Sequence, residues 1–222
     1  MDFRVQRLRL VGHLRRDIAN ESVLDVMSRV ARHEFVPPAS RHLAYEDIAL
    51  PIEEGQTISQ PMIVAMMVEA LQLKPTDRVL EVGTGSGYQA AVLSLLARAV
   101  VTTERLESLA VGARSRLASL GYHNVKVSLA GDVLGCPDKA PFDAIVVAAG
   151  GPHLPRVLLD QLAEGGRLVL PVGSRREQEL TRVEKTRDGY SVKRLGPCRF
   201  VPLIGPGAWS EHDEDGIWAE RV

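Results

Sequence analysis

The chain has 222 residues, of which 45% are apolar and 25% are charged, a balance typical of a globular protein large enough for one α/β domain. Its formal net charge is −1, which provides no overall basic field to recruit nucleic acid, and no apolar run approaches the length of a membrane span. Because the two cysteines and six histidines also form no metal or redox motif, we expect a cytoplasmic protein without metal, nucleic acid or membrane as partner.

The N-terminal third of the chain is predicted to be helical. Apolar residues recur at helical spacing over residues 5–18, and the arginines between them lie on the face predicted to meet solvent. A second helix is predicted over residues 21–30, with Ser22 as its N-cap. A third helix is predicted over the apolar segment 62–73.

From Arg78 onward, short apolar strands alternate with helices. This alternation predicts a mostly parallel sheet built from right-handed crossovers. Near the C-terminus, Asp188-Gly189 lies between two alternating runs and predicts a hairpin. The predicted strands are 78–82, 99–104, 125–130, 144–149, 167–173 and 199–205, and the predicted helices are 88–99, 106–121 and 154–166.

Together these elements predict an α/β fold of three layers. Its centre is a doubly wound, mostly parallel sheet, with an N-terminal helical cap and C-terminal antiparallel strands. No internal repeat or low-complexity linker interrupts the chain, so we expect a single domain over residues 1–222.

A glycine-rich turn, "GTGSG" at 83–87, follows the first strand of the predicted sheet. Glycines permit positive φ and let a ligand approach the backbone, and ligands of open α/β sheets lie beyond the carboxyl ends of the strands. The same glycines could instead make only a tight strand-to-helix turn. A P-loop is excluded because no Gly-Lys-Ser/Thr follows, and the spacing differs from the Gly-x-Gly-x-x-Gly of dinucleotide enzymes.

Acidic residues end or follow three strands of the predicted sheet: Glu81, Glu104 and Asp132. A carboxylate in the position of Glu104 can accept both ribose hydroxyls of an adenosine, in NAD or in another nucleoside cofactor. Asp132, which follows Gly131, can meet an adenine amino group. Each acid could be an ordinary turn residue, but three in one row favour nucleoside binding.

This pattern resembles the class I S-adenosylmethionine-dependent methyltransferases, whose first strand ends in an acidic residue followed by Gly-x-Gly-x-Gly. The resemblance implies a Rossmann-like methyltransferase fold, with S-adenosylmethionine as cofactor and S-adenosylhomocysteine as product. It implies that Glu104 faces the ribose and that Gly131 and Asp132 face the adenine. The residues implied to face the methionine portion are Glu81, Gly83, Thr84, Gly85, Ser86 and Gly87.

Further motifs are spread along the chain: "FVP" (35–37), "AYED" with "LPI" (44–52), "GQTISQP" (55–61), "EVGTGSGYQAAVL" (81–93), "PFDAIVV" (141–147), "LPVG" (170–173) and "RFVPL" (199–203). With these motifs, nearly the whole chain is similar to the protein-L-isoaspartate O-methyltransferase family. The glycine turn is shared by class I relatives in general, whereas "GQTISQP" and "RFVPL" are more specific to this family.

The family resemblance implies methyl transfer to the free carboxylate of isoaspartyl residues, and of D-aspartyl residues, in the repair of damaged proteins. Its partners would be isoaspartyl-containing proteins and peptides. The enzyme itself is expected to be a monomer. It divides the chain into a helical cap with a substrate-side loop (1–75), a cofactor-binding sheet (76–205) and a tail (206–222).

The resemblance also places Ser59 at the active site, where it orients the substrate carboxylate. Thr57, Ile58 and Gln60 would line the same junction and bind substrate. The local sequence offers a second explanation, since Ser59 or Gln60 could simply cap the helix that begins at Pro61.

Three departures from the family pattern concern the acceptor side. Residues 148–151, "AAGG", stand where a threonine is common, and Val133 replaces a glycine after the third strand. Glu53 and Glu54 stand where a glycine is more usual, and we expect both to face solvent. Three alternatives remain open: a methyltransferase for another peptide or small-molecule carboxylate, an NAD-dependent dehydrogenase, and a non-catalytic cofactor-binding module.

Overall fold

The structure is a computed structural model and describes residues 2–210. The helices are α1 (Phe3–Leu14), α2 (Glu21–Arg29), α3 (Pro61–Leu71), α4 (Tyr88–Ser94), α5 (Glu107–Ser119) and α6 (Arg156–Leu159). The strands are β1 (Leu50–Pro51), β2 (Thr57–Ile58), β3 (Arg78–Val82), β4 (Ala99–Glu104), β5 (Val125–Leu129), β6 (Phe142–Val147), β7 (Leu162–Gly173), β8 (Gln178–Thr186) and β9 (Gly189–Cys198). None of the helices in residues 2–210 has both the length and the apolar character that a membrane span requires.

Seven strands form one sheet in the order β5-β4-β3-β6-β7-β8-β9, and β1 pairs with β2 in a separate short hairpin. Strands β3 to β7 are parallel, and β8 and β9 are antiparallel. The predicted α/β fold with C-terminal antiparallel strands is therefore confirmed. The chain order reverses between β3 and β6, so the switch point at which such sheets bind ligands lies at the carboxyl ends of these two strands.

Alternate side chains of each central strand point to opposite faces of the sheet and build one core on each face. Val79 and Val146 pack with helices α1 to α5, whereas Leu80 and Ile145 pack with α6 and with loop residues of the opposite face. This arrangement is the predicted three-layer architecture with its N-terminal helical cap.

The N-terminus of α3 is capped by a side chain from an earlier loop. Asp47 accepts a 2.8 Å hydrogen bond from the backbone N–H of Met62 and a 2.9 Å hydrogen bond from the Gln60 amide. The predicted cap by Ser59 or Gln60 is wrong, because Gln60 occupies the N-cap position without a side-chain capping bond. The loop carboxylate thus satisfies a free N–H group of the first helical turn in place of the local residues.

The C-terminus of α3 is held by a side chain from the sheet. Arg167 of β7 donates hydrogen bonds of 2.7 Å and 2.9 Å to the carbonyl oxygens of Leu71 and Gln72. The same guanidinium forms a buried ion pair with Asp77, with an N···O distance of 2.7 Å. Helix α3 is therefore bonded at one end to a loop and at the other end to the central sheet.

Two predictions about the N-terminal helices need correction. The N-cap of α2 is Asn20, not Ser22, because the helix begins at Glu21 and the Asn20 carboxamide accepts from the backbone N–H groups of Ser22 and Val23. In α1 the buried face is confined to the C-terminal half, and Val5 and Leu8 are exposed.

Three later elements differ from their predicted bounds. Helix α4 ends at Ser94, and the helix predicted over 154–166 is limited to α6, because β7 already begins at Leu162 and pairs there with β6. The segment 199–205 is a loop with isolated bridges, not a strand. Most of the predicted acidic tail, 211–222, lies outside the described residues.

Candidate functional site

A cleft of about 1160 Å³, counted to its open mouth, lies at the carboxyl end of the parallel strands. Most of the lining comes from five segments: the glycine turn (83–86), the junction before α3 (56–59), the end of β4 (103–106), the loop after β5 (130–135 without 132) and the C-terminal segment (201–206). The cleft thus occupies the switch point of the sheet.

The glycine turn forms the floor of the cleft at the end of β3. Gly83 and Gly85 have φ values of +95° and +50°, which residues with side chains rarely adopt. A Cβ atom at Gly83 would lie 3.5 Å from the Cβ of Ala148, at the end of β6. Small residues therefore keep the backbone of the turn open to the cleft, as close approach by a ligand requires.

Glu104 lies at the end of β4 and lines the cleft, as predicted for a residue that meets a ribose. One carboxylate oxygen accepts a 2.8 Å hydrogen bond from the backbone N–H of Gly85, and the other accepts a 3.1 Å bond from that of Leu106. A carboxylate has about four lone-pair sites, so two remain for a ligand.

Glu81, predicted to face the methionine portion, is fully buried in β3 and does not itself line the cleft. One of its oxygens accepts a 2.6 Å hydrogen bond from the Thr102 hydroxyl, and the other has no partner. Burial raises the pKa of Glu81 to about 8, the Thr102 hydrogen bond opposes this rise, and the Glu104 carboxylate adds to it. Glu81 therefore holds its proton at neutral pH.

The two residues predicted to meet the adenine differ in their placement. Gly131 lines the cleft, whereas the exposed Asp132 does not, and its neighbour Val133 does. The backbone N–H of Ala130 donates a 2.7 Å hydrogen bond to the carbonyl oxygen of Glu104, so this loop is held beside the predicted ribose residue.

The junction before α3 forms another wall of the cleft. Thr57, Ile58 and Ser59 line the cleft, whereas Gln60 does not, because its amide is bound to Asp47. No hydrogen bond of the Ser59 hydroxyl occurs among residues 2–210, since Asp47 serves the helix N-terminus instead. The structure therefore leaves this hydroxyl available at the cleft.

The hairpin formed by β1 and β2 continues this wall towards α5. Ser108 in the first turn of α5 donates a 2.7 Å hydrogen bond to the carboxylate of Glu54 in the hairpin turn. Both Glu53 and Glu54 are exposed, which confirms that they face solvent. Neither adds its charge to the cleft lining.

The departure "AAGG" at 148–151 has a structural reason. Ala148 and Ala149 line the cleft, and the backbone of Gly150 bonds to both Val201 and Leu203 at 2.8 Å. A Cβ at Gly150 would lie 2.5 Å from the side chain of Gln178, so any larger residue here would displace that amide. These bonds hold the C-terminal segment in place as a wall of the cleft.

Few side chains of the cleft can exchange protons. Among the described lining residues there is no histidine, lysine, aspartate or cysteine, and the ionisable groups are Tyr88, Glu104 and Arg105. Burial raises the pKa of Tyr88 to about 12, and Glu104 accepts two backbone hydrogen bonds. The site therefore suits a reaction whose nucleophile is already ionised.

Gln89 is one of several lining residues that the sequence predictions missed. Gln89, in the first turn of α4, is 7% exposed, and neither its amide oxygen nor its amide nitrogen has a hydrogen-bond partner. A polar residue in the apolar run "YQAAVL" directly after the glycine turn was the available indication.

Comparison with protein families gives a match over almost the whole chain. The family model described as Protein-L-isoaspartate(D-aspartate) O-methyltransferase matches residues 6–207. A protein-L-isoaspartate O-methyltransferase from Roseiflexus castenholzii is 54% identical over 214 residues, which cover 96% of this chain and 98% of that protein. One from Pelotomaculum thermopropionicum is 54% identical over 90% of this chain and 86% of that protein.

Solved structures agree with these matches. A protein-L-isoaspartate O-methyltransferase structure superposes with a TM-score of 0.80 and 30% identity, covering 90% of this chain and 66% of the matched chain. A Plasmodium falciparum protein solved in complex with S-adenosyl-L-homocysteine superposes with a TM-score of 0.77 and 26% identity, covering 90% of this chain and 99% of that one.

Proposed function

Because this chain belongs to the protein-L-isoaspartate(D-aspartate) O-methyltransferase family, we propose that it transfers a methyl group from S-adenosylmethionine to the free carboxylate of isoaspartyl residues. It is an S-adenosylmethionine-dependent methyltransferase, and its substrates are isoaspartyl-containing proteins and peptides. The resulting methyl ester can close to a succinimide and hydrolyse in part to normal aspartate, so the activity repairs damaged proteins. D-aspartyl residues, which the family description includes, are further candidate substrates.

The observation that carries this proposal is that one cleft is lined by both the glycine turn and Ser59. The proposed assignment places the cofactor over the turn, with its ribose at Glu104 and its adenine near Gly131. The substrate carboxylate would then enter from the junction of Thr57 and Ser59. The positive φ values of the turn and the lone pairs left on Glu104 fit a nucleoside cofactor.

The absence of a suitable general base from the described lining agrees with this chemistry. The free carboxylate of an isoaspartyl residue has a reference pKa of about 3.5, so it is already an anionic nucleophile at neutral pH. When bound, the cofactor supplies an electrophilic methyl carbon on its sulfonium. What remains for the protein is to hold the two reactants in line, which can contribute roughly 7–11 kcal/mol.

Ser59 would contribute to this positioning by donating its hydroxyl hydrogen bond to the substrate carboxylate. A hydrogen bond to an ionised group contributes about 1.5–3 kcal/mol. The Thr57 hydroxyl and the buried Ile58 would shape the same junction. Gln60 would act only indirectly, because its amide donates its hydrogen bond to Asp47 and not to the substrate. Glu81 and Asp132 would influence the site through the turn and the loop to which they belong.

The setting of the reaction completes the proposal. We propose a monomeric enzyme of the cytoplasm, in which 1–75 form the cap and substrate side and 76–205 form the cofactor side of one domain. The two cysteines, Cys136 and Cys198, are both free thiols, which suits a reducing compartment.

The experiment that tests the function is a comparison of two peptides that differ in one linkage. The protein is incubated with methyl-labelled cofactor and an isoaspartyl peptide, or with its normal aspartyl twin. Base-labile label on the isoaspartyl peptide alone supports the proposal. Equal labelling of both peptides would indicate another carboxylate acceptor, and tight cofactor binding without labelling would indicate a non-catalytic module.

A further inference from the structure

Gln89 carries a buried amide for which the fold supplies no partner. Neither Oε1 nor Nε2 is exposed to solvent, and neither has a hydrogen-bond partner. The residue lies in the first turn of α4, two positions after Gly87, and it lines the cleft. Another buried glutamine, Gln161, shows what the fold does elsewhere: its amide makes three hydrogen bonds, to Leu134, Cys136 and Val157.

An unpaired buried amide is unfavourable for folding, because it has lost its hydrogen bonds to water and gained none in return. An apolar side chain of similar size would fill the position of Gln89 without that loss. The neighbours of Gln89 in α4 are apolar or small, with Ala90, Ala91, Val92 and Leu93 all fully buried. The amide therefore serves something other than the packing of α4.

We propose that Gln89 binds the amino-acid end of the cofactor, an assignment that rests on the proposed function. The glycine turn leads directly into α4, so Gln89 lies close to the turn that is proposed to face the methionine portion. That portion carries an ammonium and a carboxylate, and a glutamine amide offers one acceptor for the first and donors for the second. Neither amide atom reaches solvent in this structure. To meet the ammonium and the carboxylate, the Gln89 side chain would therefore rotate about its own torsions. The substrate carboxylate, by contrast, needs donors alone, and Ser59 lies at its entrance.

The test compares two ligands that differ in the amino-acid end. S-adenosylhomocysteine carries the ammonium and the carboxylate, whereas 5′-methylthioadenosine keeps the nucleoside and lacks both. Calorimetric titration measures the Kd of each ligand for the wild-type protein and for Gln89→Leu. We expect the Kd of S-adenosylhomocysteine to rise tenfold or more in the variant, and that of 5′-methylthioadenosine to stay within twofold.

A stability measurement separates this role from a structural one. Gln89→Leu should unfold at the same temperature as the wild type or higher without ligand, whereas the matched control Gln161→Leu should unfold at a lower temperature because it leaves bonded backbone groups unpaired. If the Gln89→Leu variant fails to fold, Gln89→Met serves as a second variant, because methionine has a similar length.

Three outcomes for Gln89→Leu would overturn the inference. They are an equal rise in the Kd of both ligands, a fall in unfolding temperature with unchanged Kd values, or an effect confined to a higher KM for the isoaspartyl peptide. Failure of the proposed function would look different, since the wild-type protein itself would then not methylate the isoaspartyl peptide selectively, whether or not it binds S-adenosylhomocysteine.

Discussion

The backbone N–H of Gly85 donates a 2.8 Å hydrogen bond to the carboxylate of Glu104. This bond joins the turn after β3 to the end of the neighbouring strand β4. Glu104 is only 6% exposed, and its second oxygen bonds to the backbone of Leu106. The carboxylate proposed to bind the ribose therefore also fixes the shape of the turn that lies under the cofactor.

We expect Glu104→Gln to weaken S-adenosylhomocysteine binding about tenfold or more and to lower the free energy of unfolding by about 1–3 kcal/mol. The variant turns one acceptor into an N–H₂ donor, which then faces either the Gly85 or the Leu106 N–H. Calorimetric titration and urea unfolding measure the two effects. The control is Glu107→Gln, an exposed acid three residues later, which should change neither. Weaker binding with unaltered stability would show that Glu104 acts on the ligand and not on the turn.

Ser59→Ala should lower kcat/KM for an isoaspartyl peptide roughly 10- to 100-fold, because the substrate carboxylate loses one hydrogen bond to a hydroxyl. Its affinity for S-adenosylhomocysteine and its unfolding temperature should be unchanged, since Asp47 and not Ser59 caps α3. Steady-state kinetics, calorimetry and thermal unfolding give the three readouts.

The matched variant for this prediction is Asp47→Ala. It removes the cap of α3 and should lower the free energy of unfolding by about 0.5–2 kcal/mol. If Ser59→Ala destabilised the protein as much as Asp47→Ala does, the hydroxyl would be a structural element and its proposed role would be wrong.

The stability of the protein should fall with rising pH because of Glu81. Its pKa is raised from 4.5 to about 8 by burial, so between these values the folded state keeps a proton that the unfolded state releases. The free energy of unfolding then decreases with pH, by at most about 1.4 kcal/mol per pH unit from this group. In Glu81→Gln this contribution is absent. The free energy of unfolding of the variant should therefore increase relative to that of the wild type from pH 5 to pH 8.

Urea unfolding at four pH values between 5 and 8 checks the pH prediction. The difference between Glu81→Gln and the wild type should grow steadily over this window and level off beyond it. A constant difference would mean that Glu81 titrates near its ordinary pKa in the folded protein, and its buried position would need another explanation.

Gly150→Ala should loosen the C-terminal wall of the cleft. The added methyl group would meet the side chain of Gln178, which accepts a 2.7 Å bond from the backbone of Phe200. We expect a loss of stability of about 1–3 kcal/mol and a higher Kd for S-adenosylhomocysteine. Gly112→Ala in α5 is the control, because nothing lies within 4 Å of its added Cβ and alanine favours a helix by about 0.5–1 kcal/mol. Equal effects of the two substitutions would contradict the steric explanation.

The strand-and-helix alternation was sufficient to predict the fold because the central strands β3, β4 and β6 are almost wholly buried and appear as short, largely apolar runs. The ends of elements were harder to predict. The run "LPRVLLDQLAEGG" has helical composition, yet its second half begins β7, because pairing of Leu162 with Phe142 in the sheet overrides local preference. The "RFVPL" segment alternates like a strand but serves as a wall of the cleft, held by Gly150.

The site was predictable where a residue's role depends on its own strand end, as for Glu104 and the glycine turn. It was less predictable where a role depends on distant groups. Nothing near Ser59 in the sequence indicates that Asp47 caps the following helix, and no spacing rule places the Gln60 amide on that same carboxylate. For Gln89, only the three-dimensional structure shows that the amide has no partner.

Helix α3 is held at both ends by hydrogen bonds, to Asp47 at its N-terminus and to Arg167 at its C-terminus. The helix therefore cannot shift along its axis without breaking the hydrogen bonds at one of its ends. Ser59 lies just before the first end and Arg167 belongs to the central sheet, so the scaffold fixes the position of Ser59 relative to the sheet. If the cofactor binds over the glycine turn as proposed, methyl transfer would need no shift of α3 along its axis in each catalytic cycle.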